Sequence, residues 1–325
     1  MLDDIKKNRK NLLILDNLHS WKNPSPEFEE DYDLDMKIFS KLAESKNVNV
    51  FHANYDWINI NKGIVNKYWV LENDKWSKKG KKIKPDLYLD YIDRELDYEL
   101  YNLKNKLARK TPFINSPNMT SIMGNKFAQY LLFAEFMPFT SLCNTVNDLY
   151  SNINKIKSSK VVIKPIHGYG GNGISILDKK DFRSRIKKIK LPCLIQNFIK
   201  SNGIPGLKDT GRPMDLRMVF VNHRLCCSFV RVAKKGSLLT NFCPGGAIIH
   251  IRKNKIPKSL FKISNNIIEK LKSFSTAHYS LDFYFDEKNA PHLIEINLCP
   301  GFGFALTDME SKLFYFAKLL ECISN

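Results

Sequence analysis

Leu293-Ile294-Glu295-Ile296-Asn297 carries two oxygen ligands two residues apart on an otherwise apolar segment. Thirteen residues before Glu295 stands Asp282, in Ser280-Leu281-Asp282-Phe283-Tyr284-Phe285-Asp286. The two segments alternate in opposite phase. Leu281, Phe283 and Phe285 oppose Asp282, Tyr284 and Asp286, then Ile294, Ile296 and Leu298 oppose Leu293, Glu295 and Asn297. Such alternation reads as a half-buried strand in each case. If the two are joined through residues 287–290, one hairpin register gathers both apolar sets on one face. That register also gathers Asp282, Glu295 and Asn297 on the other. Two carboxylates and an amide oxygen suit Mg2+, which takes a few protein oxygens and completes its shell with phosphates and water. A plain hairpin with a polar outer face would alternate in the same way, so the decision rests on what lies upstream.

Upstream, Val161-Val162-Ile163-Lys164-Pro165 leads into His167-Gly168-Tyr169-Gly170-Gly171-Asn172-Gly173. Glycines at this density free the backbone to take positive φ and to aim N–H groups at phosphate oxygens. No Gly-Lys-Ser/Thr follows, and Ile174-Ser175-Ile176-Leu177 reads as a strand, which excludes a Walker A loop and a dinucleotide fingerprint. A glycine-rich loop between two strands reads as a flap over phosphates or as a flexible hairpin. Lys164, and Lys126 in Met123-Gly124-Asn125-Lys126, offer ammonium groups for phosphate. Arg217, in Asp215-Leu216-Arg217, and Arg231 lie on strands with apolar neighbours, so each faces a cleft or an internal carboxylate such as Asp215. Guanidinium groups suit bidentate recognition of phosphate or carboxylate. Asn241-Phe242-Cys243-Pro244-Gly245-Gly246 adds a second glycine turn.

The chain of 325 residues is 43% hydrophobic and 12% aromatic, enough for two or three subdomains with a substantial shared core. No apolar run approaches the length of a bilayer span, and a signal peptide is not expected. Seven cysteines without a CxxC indicate neither a zinc site nor a disulfide framework, so a reducing cytoplasm is expected. The net charge of +18 lies largely in runs such as Lys78-Lys79-Gly80-Lys81-Lys82 and Lys187-Lys188-Ile189-Lys190, which read as solvated surface. The charge would also attract polyanions, but no aromatics interleave with the basic runs, so a nucleic-acid partner is not expected.

Strands are expected over 11–16, 48–52 and 85–92, with helices over 28–46 and 95–110. This alternation predicts an α/β domain with a parallel sheet that ends near Asn115. Helix follows over 121–136, then strands over 160–164, 173–177 and 193–199, a hairpin over 216–232 turning at Asn222-His223, a helix within 256–276 and a last helix over 309–323.

Taken in order, these motifs resemble the ATP-grasp superfamily of ATP-dependent carboxylate–amine ligases, in the branch with bacterial glutathione synthetase and the ribosomal-protein glutamate ligase. The ordered set is lysine, strand-lysine-proline, glycine flap, Gln-x-Phe-Ile, Asp-x-Arg, Arg, Asn with Gly-Gly, Asp, and Glu-x-Asn, and it spans about 115–303. The resemblance implies an α/β (α+β) ATP-grasp fold. Residues 1–115 would form the N-terminal domain, 116–192 a lid subdomain with the flap, and 193–325 a C-terminal subdomain with the metal site. It implies ATP with Mg2+ (or Mn2+) as cofactors. Lys126, Lys164, His167, Gly168, Gly170, Gly171, Gly173 and Asn241 would lie at the phosphates, and Gln196, Asn197, Phe198 and Ile199 at the adenine. Arg217 and Arg231 would stabilise the transferring group, and Asp282, Glu295 and Asn297 would hold the metal.

The implied chemistry is ADP-forming ligation through an acyl phosphate, joining the carboxylate of a small molecule or peptide to an amine acceptor. Branches of the same fold phosphorylate polyanions such as inositol phosphates, and others bind ATP without catalysis. The segment 201–213 departs from the family as an insertion-like loop. Leu298-Cys299-Pro300-Gly301 differs from the wording of glutathione synthetase, so that identity is not expected. Relatives are often dimers or tetramers, which leaves a homo-oligomer open, and no membrane partner is expected.

Overall fold

The computed structural model describes residues 9–16, 21–91, 98–168, 170–201, 203–208, 210–240, 246–274, 276–301 and 308–324. Lys10–Leu15 is apolar on both faces because both are covered. Leu12 and Ile14 enter one core while Leu13 and Leu15 enter another, as befits a parallel strand in the middle of a sheet. Val48–Ala53, Lys10–Leu15, Leu87–Asp90 and Phe113–Ile114 run parallel in that order. The expected parallel sheet is in fact mixed. A hairpin, Tyr68–Glu72 with Lys75–Lys79, adds antiparallel to the Val48–Ala53 edge and turns on Asn73 and Asp74, both at positive φ. Lys78 reads as solvated in the sequence, yet its Nζ lies over the rings of Trp21 and Trp69, so the basic run conceals a strand.

The second sheet is antiparallel, in the order Ser175–Asp178, Lys160–Lys164, Cys193–Asn197, Thr140–Cys143. Cys193–Asn197, expected to open the third subdomain, lies inside this sheet, since it pairs with strands on both sides. Val161, Ile163, Cys193 and Ile195 face its own small core with Leu149 and Phe182. Val162, Lys164 and Gln196, on the alternate positions, face the other way into a cleft.

The third sheet has the order Ala247–His250, Arg224–Val232, Met214–Val221, His278–Phe285, Pro291–Asn297, all antiparallel. The Asn222-His223 turn forms as expected, with both residues at positive φ. One face of the sheet carries the largest core, against the helix Lys258–Leu271. Residues 121–136 form not one helix but parts of two, Pro117–Met123 and Lys126–Phe133, because Asn125 caps the second through its Oδ1 to the N–H groups of Phe127 and Ala128. Both pack on this core through Met119, Met123 and Phe133, and the second helix also lies against Thr140–Cys143 of the second sheet. The opposite face divides along its length. At one end Val219, Val221 and Phe229 pack with Leu12, Phe39 and the C-terminal helix Met309–Ser324, joining the N-terminal sheet to the rest. At the other end Asp215, Arg231 and Asp282 form the floor of the cleft.

Candidate functional site

The hairpin His278–Phe285/Pro291–Asn297 pairs Asp282 with Glu295 and Ser280 with Asn297, so the three expected ligands converge. The register shifts beside Asp282, where Phe283 pairs with Leu293. That bulge reverses the phase of one end of the strand. Leu293, expected on the face of Glu295 and Asn297, enters the core with Ile296, while Ile294, expected beside Ile296, lines the cleft next to Glu295.

Asp282 is buried and accepts from both arginines. Arg217 reaches its Oδ1 through Nε at 2.7 Å and its Oδ2 through Nη2 at 2.6 Å, and Arg231 Nη2 reaches Oδ2 at 2.7 Å. Asn297 Nδ2 donates to the same Oδ2 at 2.8 Å, so the amide oxygen is the atom Asn297 could offer to a cation. Arg231 also pairs with Asp215 through Nε at 2.8 Å and through Nη2. Thr240 donates its hydroxyl to Asp215 Oδ2 at 2.7 Å, with Tyr284 Oη 2.8 Å from Thr240 Oγ1. Burial raises the pKa of Asp282, but Arg217 and Arg231 outweigh it and hold the carboxyl below the usual range. For Asp215 burial prevails over Arg231, and the carboxyl titrates above the usual range. The internal arginine–carboxylate pair anticipated from Asp215-Leu216-Arg217 therefore forms with its neighbours exchanged, Arg217 on Asp282 and Arg231 on Asp215.

Lys126 opens its helix with its backbone N–H on the carbonyl of Ile166, beside the flap. Its Nζ lies 3.2 Å from Glu295 Oε1 and also donates to the carbonyl of Gly168. Lys164 is buried, and burial lowers its pKa to about 8 even though Glu295 opposes the shift. Gly168, Gly170, Gly171 and Gly173 all take positive φ. At Gly173 a side chain would also meet the ring of Pro165. Gln196 is buried with its Nε2 on Thr140 Oγ1, and Asn197 Oδ1 accepts from the N–H of Lys157, while Phe198 and Ile199 complete the cleft wall. His167 and Gly173 line a different crevice on the far face of the second sheet. Asn241 lies outside the described residues. Gln129, unremarked in the sequence, exchanges two hydrogen bonds with the backbone of Ile296 and so fixes the strand between Glu295 and Asn297.

The donor set fits a hard cation. Among the described residues no three His, Cys, Asp or Glu side chains form a cage, so two carboxylates and an amide would leave most positions to phosphates and water. The free space between the sheets is about 70 Å3, below the several hundred of a ligand pocket.

A YheC/D-like ATP-grasp model matches residues 111–320. The chain belongs to this ATP-grasp family. The probable alpha-L-glutamate ligase 1 of Shewanella sp. is 24% identical over 170 residues, 51% of each protein, and the chain spans about half the length of the curated relatives it matches. An ATP-grasp RimK domain protein from Sphaerobacter thermophilus aligns with a TM-score of 0.61 at 14% identity, covering 97% of this chain and 100% of that one. D-alanyl-alanine synthetase A from Vibrio cholerae gives 0.64 at 13%, covering 98% of each. These likenesses bear out the ATP-grasp fold, with its mixed sheets, and the resemblance to its ligases.

Proposed function

We propose that this ATP-grasp protein is an ADP-forming carboxylate–amine ligase. The observation that carries this reading is the convergence of Lys126, Lys164, Arg231, Asp282 and Glu295 on one cleft between two sheets, with Arg217 bonded to Asp282 behind them. A substrate carboxylate oxygen attacks the γ-phosphorus of ATP, the bond to the bridging oxygen breaks, and ADP leaves with that electron pair. The amine then attacks the acyl carbon, inorganic phosphate departs, and the amine loses a proton to give the amide. Lys126 and Lys164 would neutralise the phosphates, and Arg217 and Arg231 the charge on the equatorial oxygens. Asp282, Glu295 and Asn297 would hold Mg2+ or Mn2+, which spreads the charge of the β- and γ-phosphates. The flap 167–173 would close over the phosphates and exclude water from the acyl phosphate.

The finer assignments follow the same reading. The carboxylate belongs to a small molecule or a peptide. The boundary between the lid and C-terminal subdomains falls after Asn197, with the helices 117–133 on the C-terminal side. Six described cysteines are free, which supports a reducing cytoplasm. Among the described residues no helix is long and apolar enough to cross a membrane.

The test is to incubate the protein with ATP, Mg2+, hydroxylamine and pooled carboxylic acids. Acyl hydroxamate together with ADP supports the ligase. A stable phosphorylated acceptor without hydroxamate makes the protein a kinase, and no ATP turnover with any acceptor leaves it a nucleotide-binding protein.

A further inference from the structure

The strand Lys160–Lys164 has two working faces. Val162 looks into the nucleotide cleft and Lys164 borders it, whereas Ile163 belongs to the opposite face, where a second crevice of about 500 Å3 opens with Lys164 also on its wall. Its floor is apolar, formed by Ile163, Leu177 and Leu191, and its rim carries His167, Arg185, Lys188 and Lys190. No carboxylate lines it, and none of these four rim residues forms an ion pair among the described residues. This differs from other lysines of the chain, such as Lys160 on Asp178 and Lys200 on Glu287, which do find acidic partners.

Four cations, Lys164, Arg185, Lys188 and Lys190, stand around one concavity and repel one another, and the apolar floor beneath them holds ordered water poorly. An anion relieves the first cost and an apolar body the second. The volume is that of a small-molecule pocket rather than a macromolecular groove. We propose that the back of the lid sheet is a second binding site, sharing only Lys164 with the nucleotide cleft, for a small amphipathic anion with a phosphate or carboxylate head and an apolar body. The head lies among Arg185, Lys188 and Lys190, and the body lies on Ile163, Leu177 and Leu191. The wall of the site includes the strand Lys160–Lys164 and the flap residues His167 and Gly173, so on the proposed function its occupant sits against the segment that would close over the phosphates.

The probe is 8-anilinonaphthalene-1-sulfonate, an amphipathic anion that fluoresces on an apolar surface, titrated into the full chain with and without saturating Mg2+ and a non-hydrolysable ATP analogue. The wild type is expected to show one saturable site that persists with the analogue and weakens with salt. The exposed pair Arg185→Glu/Lys188→Glu is expected to bind the dye at least about tenfold more weakly, a difference of about 1.4 kcal/mol. The thermal shift given by the analogue checks that this variant remains folded, and Arg185→Gln/Lys188→Gln serves in its place if it does not. Competition by phenyl phosphate or by benzoate tells which head group is preferred. Displacement of the dye by the ATP analogue, equal binding to wild type and variant, or the lack of a saturable site would each overturn the proposal. No turnover is read, so the outcome is independent of the ligase assay.

Discussion

Arg217 closes on Asp282 through two parallel hydrogen bonds of 2.7 and 2.6 Å, and thereby occupies the carboxylate that the proposed metal site requires. Bidentate guanidinium–carboxylate pairs are strong and directional. In this arrangement the guanidinium holds the place of a cation.

The consequence is a competition. Arg217→Met removes one occupant of Asp282, so Mn2+ is expected to bind the nucleotide-free protein severalfold more tightly, as read by electron paramagnetic resonance, while turnover drops. The variant also leaves Asp282 buried with Arg231 as its remaining guanidinium, at a cost of about 1–3 kcal/mol in urea unfolding. Unchanged or weaker Mn2+ binding would show that Arg217 does not occupy a metal position.

Glu295 stands opposite Asp282 and 3.2 Å from Lys126. Glu295→Gln keeps the shape and the strand but loses the charge that both a metal and Lys126 would use. Activity is expected to fall about 100- to 1,000-fold with little change in melting temperature. Full activity in this variant would remove Glu295 from the site.

The hairpin was legible because alternation reports directly on which side chains share a face, and Asp282, Glu295 and Asn297 do meet. Its bulge was not, since one extra residue leaves no mark in an apolar run, and so Ile294 and Leu293 exchange faces. The hairpin 68–79 was hidden for a different reason. Its Lys78 packs over Trp69 and over Trp21 in cation–π contacts, whereas a run of lysines in sequence signals solvent. Gln129 and Thr240 could not be found at all, because their roles depend on partners 167 and 44 residues away. Tyr284 did carry a signal, two residues along the strand from Asp282 and on its face.

Lys164 is expected to make nucleotide binding sensitive to pH. Burial sets its pKa near 8 in the free protein, and phosphate favours its charged form, which raises that pKa in the complex. Binding of the ATP analogue therefore takes up protons around pH 8, and affinity declines as pH rises beyond it. Calorimetry in buffers of different ionisation enthalpy would record this uptake, and Lys164→Met should abolish it. Proton release on binding would contradict the assignment.

His278 governs acid stability rather than chemistry. Its Nε2 lies 2.5 Å from Tyr315 Oη, and Asn115 bridges its backbone N–H and carbonyl, so the ring is locked in the core between the N-terminal sheet and the C-terminal helix. Burial lowers its pKa from 6.5 to about 3. Between those values the unfolded chain binds a proton that the folded protein does not, so stability increases with pH across this window and is lost as pH falls below 6.5. The loss is about 1.4 kcal/mol per unit, or about 2 kcal/mol between pH 6.5 and 5. His278→Gln keeps an acceptor for Tyr315 and has nothing to titrate. Urea unfolding at pH 7 and pH 5 should therefore show a drop in the wild type that exceeds the drop in the variant by about that amount. Equal drops would mean that the imidazole is already protonated in the folded core.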